Sequence, residues 1–125
     1  MYSHFNPNPN GNRVGDCVVR AIAKALGMSW GDVYIDLTLQ GYTMGDLPSS
    51  NGVWGAYLKA KGFLRDVVSV DCPDCYTMQD FATEHTNGVF VVGTGTHAVC
   101  VADGVIFDSW DSSNERPIYF YYKGE

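Results

Sequence analysis

The sequence predicts an α+β fold in which N-terminal helices pack on a C-terminal antiparallel β-sheet, and three observations lead there. Apolar residues recur at helical spacing through the first half of the chain, from Val18 to Leu58. Short apolar runs rich in Val, Ile, Phe and Tyr dominate the second half, from Val89 onward. Between two of those runs stands Asp103-Gly104, the dipeptide preferred where both central residues of a two-residue hairpin need positive φ.

Taken in order, residues 1–14 read as an extended or turn-rich arm because Asn6-Pro7-Asn8-Pro9-Asn10-Gly11-Asn12 is a low-complexity turn-forming stretch. Cys17 to Leu26 then predicts a helix, with Asp16 as N-cap, Gly27 as the stop and an apolar stripe at Val18, Ile22 and Ala25. A second helix follows Ser29, with Asp32 in its first turn and an apolar face at Trp30, Val33, Tyr34 and Leu37. Gly41 to Ser50, which contains Gly45 and Pro48, reads as a loop bordering a cleft. Asn51 to Lys61 predicts a third helix ending at Gly62, and Thr77 with Asp80 caps a short fourth one reaching His85. Strands are expected at Val67–Val70, Val89–Val92, Ala98–Ala102, Val105–Phe107 and Ile118–Tyr122.

The hairpin carries the chemistry. Closing the Asp103-Gly104 turn sets Ala102 opposite Val105, Val101 opposite Ile106, Cys100 opposite Phe107, Val99 opposite Asp108 and His97 opposite Trp110. His97 and Asp108 then become diagonal neighbours, roughly 7–8 Å apart at the backbone, a gap that an imidazole–carboxylate hydrogen bond can bridge under the Trp110 indole. That arrangement is an oriented general base. Cys17 falls in the first helical turn, where the helix dipole and unpaired N–H groups favour a thiolate and offer donors to an oxyanion. Cys17, His97 and Asp108 together predict a Cys-His-Asp triad with a nucleophilic thiol. Asp16 opposes thiolate formation unless neutralised, and Arg20, one turn on, is placed to pair with it.

These segments resemble the papain-like cysteine peptidases, in which a helix-starting Cys precedes a strand beginning His-Ala-Val and a following strand ending in Asn or Asp before Ser-Trp. Here the matching residues are Cys17, His97-Ala98-Val99 and Asp108-Ser109-Trp110. The Asp in the third position and the short length are closer to compact bacterial members that trim double-glycine leader peptides. Asp16-Cys17-x-x-Arg20-Ala21 also resembles the ovarian-tumour-type deubiquitinases over those few residues. The resemblance implies a papain-like domain over 1–125 that hydrolyses a peptide or isopeptide bond. Family members carry a Gln six residues before the Cys as oxyanion donor. This chain has Gly11 there, so Asn12, with Asn10 as the alternative, is the expected replacement. Amine acyl transfer of the transglutaminase type, and a catalytically idle papain-like domain that binds a protein, remain the alternatives.

Bulk properties narrow the partners. The chain has 125 residues, is 46% hydrophobic and carries a formal charge of −6, which suits one domain with its own core. Lys and Arg form no cluster able to neutralise phosphates, which argues against nucleic acid or an anionic membrane and leaves a peptide or protein substrate as the expected partner. Neither a signal peptide nor a membrane span is legible, so a cytoplasmic location with reduced thiols is expected. Cys72-Pro73-Asp74-Cys75 has the spacing of half a zinc site or a redox pair but lacks the context of either, and reads as a plain loop. No cofactor or metal is expected. Gly93-Thr94-Gly95 precedes a strand and is read as room for substrate backbone beside His97.

Overall fold

The computed structural model describes residues 1–123. It contains helices α1 (Cys17–Leu26), α2 (Trp30–Met44), α3 (Asn51–Ala60) and α4 (Met78–Glu84) and strands β1 (Tyr2–His4), β2 (Phe63–Val67), β3 (Val89–Gly93), β4 (Ala98–Ala102), β5 (Val105–Asp108) and β6 (Tyr119–Lys123). The strands form one six-stranded sheet in the order β1-β5-β4-β3-β6-β2. The α+β expectation therefore holds, with one correction to the sheet. It is mixed, because β1 runs parallel to β5, pairing Tyr2 with Ile106, Ser3 with Phe107 and His4 with Asp108. The first residues of the expected arm are thus a strand that covers the β5 edge.

Alternation along the strands divides the core in two. Val91 and Cys100 meet Ile22, Leu37, Trp54 and Leu58 from α1–α3 on one face. Their neighbours Val92, Val99 and Val101, with Ile106, meet Met78, Phe81 and Ala82 of α4 on the other. Helices consequently cover both faces, not one.

The β4–β5 hairpin has the expected register, with Cys100 opposite Phe107, Val101 opposite Ile106 and Ala102 opposite Val105. Asp103 and Gly104 have φ of 50° and 79°, as a primed turn requires. β5 stops at Asp108, so Trp110 lies beyond the ladder and meets His97 by ring contact alone.

Elsewhere the boundaries move for identifiable reasons. α2 passes Gly41 and ends at Gly45, whose φ of 71° provides the left-handed stop. Gly41 has a packing role instead, since a Cβ there would meet the Asp46 carbonyl oxygen at 2.7 Å. β2 lies earlier than Val67–Val70 because its register is dictated by β6, from Phe63 opposite Lys123 to Val67 opposite Tyr119. Only Phe63 of this edge strand is buried, so no alternating pattern marked it. Of the two forms expected of the arm, Asn6 to Asn12 takes the turn-rich one. The Asn8 Oδ1 accepts from the backbone N–H groups of Asn10 and Asn12, and the Asn6 amide donates to the Asn12 carbonyl.

Candidate active site

Cys17, His97 and Asp108 come from three different elements and converge at one end of the sheet. Cys17 opens α1, His97 immediately precedes β4, and Asp108 closes β5. The His97 Nε2 lies 2.6 Å from the Asp108 Oδ2. That contact leaves Nδ1 as the ring nitrogen available to the thiol. The Trp110 indole lies against the imidazole at a centroid distance of 4.8 Å.

Asp108 is held from several sides. The Ser109 N–H donates to its Oδ1 at 2.7 Å, and its carbonyl oxygen accepts from the Phe5 N–H at 2.7 Å and the Tyr2 hydroxyl at 3.2 Å. The Arg20 Nη2 donates to Oδ1 at 3.0 Å, while Nη1 pairs with Asp16. Asp16 also accepts from the Trp30 indole N–H at 2.9 Å. The α1 face that buries Arg20 therefore delivers a planar cation between two buried carboxylates, and an unbroken polar chain runs from Trp30 through Asp16, Arg20 and Asp108 to His97. Asp16 occupies the N-cap position as expected but makes no capping hydrogen bond, because Arg20 and Trp30 take its carboxylate.

The electrostatics suit a charged pair. Burial pushes the Cys17 thiol up, but hydrogen bonding to His97 and to the Ala98 N–H, together with the positive charges of His97 and Arg20, brings it below its ordinary value. Burial pulls His97 down, and its contacts with Asp108 and Cys17 more than reverse this, raising it to about 9. Burial also works against the Asp108 carboxylate, which His97 and the Ser109 N–H nevertheless hold below the usual range. Cys100 is the contrast. Buried in β4, its thiol is pushed up to about 12.

Cys17 and His97 line a cleft of about 230 Å³ whose other walls include Gly15, Ser49, Asn51, Gly95 and Thr96. Gly95 thus borders the cleft as its position suggested. Asn12 does not reach it. The Asn12 side chain is exposed, its backbone is tied to Asn6 and Asn8, and with Asn10 it lines the neighbouring cavity. The folding of the arm on its own asparagines carries both amides away from the thiol. Asn51, which sequence reasoning took only as a helix start, is the amide that borders the thiol's cleft. Its Oδ1 accepts from the Trp54 indole at 3.0 Å, which leaves the Nδ2 donor free of that contact. Nothing local to Asn51 marks this role, since it depends on where α3 lies relative to Cys17 and His97.

Cys72 and Cys75 are corrected as well. They are joined as a disulfide at an exposed 3₁₀ turn, not held as the reduced thiols expected of them. Among the described residues no group of His, Cys, Asp or Glu side chains is arranged to hold a metal, and no helix is long and apolar enough to cross a membrane. Comparison with protein-family models, with curated proteins and with solved structures returns no match.

Proposed function

We propose that the chain is a thiol hydrolase of papain-like design that cleaves a peptide or isopeptide bond. The observation that carries this reading is the 2.6 Å His97–Asp108 contact beside a half-buried Cys17 whose thiol is poised toward the thiolate. Cys17 attacks the carbonyl carbon and forms a carbon–sulfur bond while the carbonyl oxygen takes up negative charge. The Cys17 N–H and the Asn51 amide hold that oxygen. The carbon–nitrogen bond then breaks, and His97 gives its proton to the departing amine. A water attacks the thioester, returns a proton to His97 and releases the carboxylic acid and the thiolate. Asp108 orients the imidazole, and Arg20 orients Asp108.

The test pairs labelling with turnover. A fluorescent acyl-directed electrophile should label the wild type at Cys17, and Cys17→Ala should lose labelling and hydrolysis of a peptide library with its melting temperature within a few degrees. His97→Ala should lose turnover by several orders of magnitude. A folded protein whose Cys17 reacts no faster than an ordinary thiol, or whose Cys17→Ala variant keeps the hydrolysis, overturns the reading.

A further inference from the structure

A second, larger cavity adjoins the thiol's cleft. It has a volume of about 480 Å³, within the roughly 300–1,000 Å³ usual for ligand sites, and it shares Gly15, Val18 and Ser49 with the cleft that holds Cys17 and His97. Its walls are Val14, Val18, Val19 and Leu37 with the stacked pair Trp30 and Tyr34, whose centroids lie 5.0 Å apart. Val14 and Tyr34 are 54% and 52% exposed, which leaves apolar surface open beside a reactive thiol.

We propose that this cavity is the specificity pocket for the substrate's acyl side, and that it takes a bulky apolar or aromatic side chain. The proposal rests on the thiol-hydrolase reading and adds the substrate class. Three features set the chemistry. The charged group in the wall is Asp16, which is buried and already paired with Arg20, so its charge is offset and gives little pull on a basic side chain. No cation in the wall awaits an acidic one, since Arg20 is engaged by Asp16 and Asp108. The opening is preformed, because Asn6 and Asn8 fold the arm that makes one wall onto itself.

Direction follows from the proton. The departing amine must face His97, and no residue from Gly95 to Ala98 lines the larger cavity. It meets the cleft at Gly15, Val18 and Ser49, away from His97, and is assigned on that ground to the half of the substrate that becomes the thioester.

The experiment uses peptidyl acyloxymethyl ketones that differ only in the residue next to the ketone, with Phe, Leu, Gly, Lys or Asp there. Second-order rates of Cys17 modification are divided by each variant's own iodoacetamide rate. The Phe and Leu probes should react at least about tenfold faster than the Gly, Lys and Asp probes, the scale of one apolar group in a fitted pocket. Val14→Trp, which fills the cavity at an exposed position, should bring Phe to the Gly rate, and Tyr34→Ala should weaken the preference from the opposite wall. Flat selectivity in the wild type, or an apolar preference unmoved by both variants, overturns the pocket while a fast iodoacetamide reaction leaves the thiol reading standing. Slow alkylation by iodoacetamide and every probe overturns both.

Discussion

Arg20 and Asp108, 88 positions apart in the chain, meet through a 3.0 Å hydrogen bond with side chains only 6% and 2% exposed. Because the same guanidinium pairs with Asp16, one cation offsets two buried carboxylates. Removing it leaves Asp16 buried with the Trp30 indole alone and Asp108 with His97 and the Ser109 N–H. Arg20→Met should therefore cost about 3–5 kcal/mol in urea denaturation at pH 7, the scale for breaking a buried pair from one side. Arg20→Lys should recover part of that loss, because a single ammonium cannot fork between two carboxylates. A loss under about 1 kcal/mol for Arg20→Met would mean that the bridge does not hold the site.

The same geometry sets a pH window. His97 is raised from 6.5 to about 9, so its charged form stabilises the fold fully below 6.5 and this contribution is lost as pH rises through about 9. Cys17 and Asp108 are lowered, so their contributions are present above their ordinary values and are lost as pH falls through the depressed ones. Iodoacetamide modification of Cys17 should slow less between pH 8.5 and pH 6.5 than that of an unperturbed thiol, which loses about fiftyfold over that range. A mass-spectrometric time course checks this, with Cys100, pushed up to about 12 and buried, remaining unlabelled in the folded protein.

Oxyanion stabilisation separates two amides. With Asn51 bordering the thiol's cleft and Asn12 outside it, Asn51→Ala should lower kcat by about 10²–10³ with little change in KM, the effect of losing one donor. Asn12→Ala should leave kcat within about threefold. Steady-state kinetics decides, and a reversed order would return the donor role to the arm.

A tight approach under the site predicts a stability effect. A Cβ on Gly93 would stand 2.3 Å from the Tyr119 ring, which itself stacks on Trp54 at 6.0 Å. Gly93→Ala must displace that ring within a packed layer and should cost about 1–3 kcal/mol. Thermal or urea unfolding measures it. A neutral change would show that the ring has room to move.

Thiol counting checks the disulfide. The chain has four cysteines, of which Cys17 and Cys100 are free. Protein denatured without reductant should therefore yield two titratable thiols and, after reduction, four. Four thiols before reduction would return Cys72 and Cys75 to the reduced state.

By itself, the sequence determined whatever depends on spacing within a few residues. Asp103-Gly104 dictated the β4–β5 register because positive φ at both positions leaves one way to close the turn. Ser29 and Thr77 marked helix starts because a side-chain oxygen must meet an N–H three residues on, and each does. Cys17 at the head of α1 and the nearness of His97 to Asp108 followed from the same local geometry. Tertiary structure decided the rest. That β1 would lie parallel to β5, that Arg20 would reach Asp108, and that Asn51 instead of Asn12 would border the thiol each depend on which distant surfaces pack together. Periodicity tells a segment which face to bury, but it does not name the partner, because apolar contact is non-directional and the choice is made by the shape of the whole core.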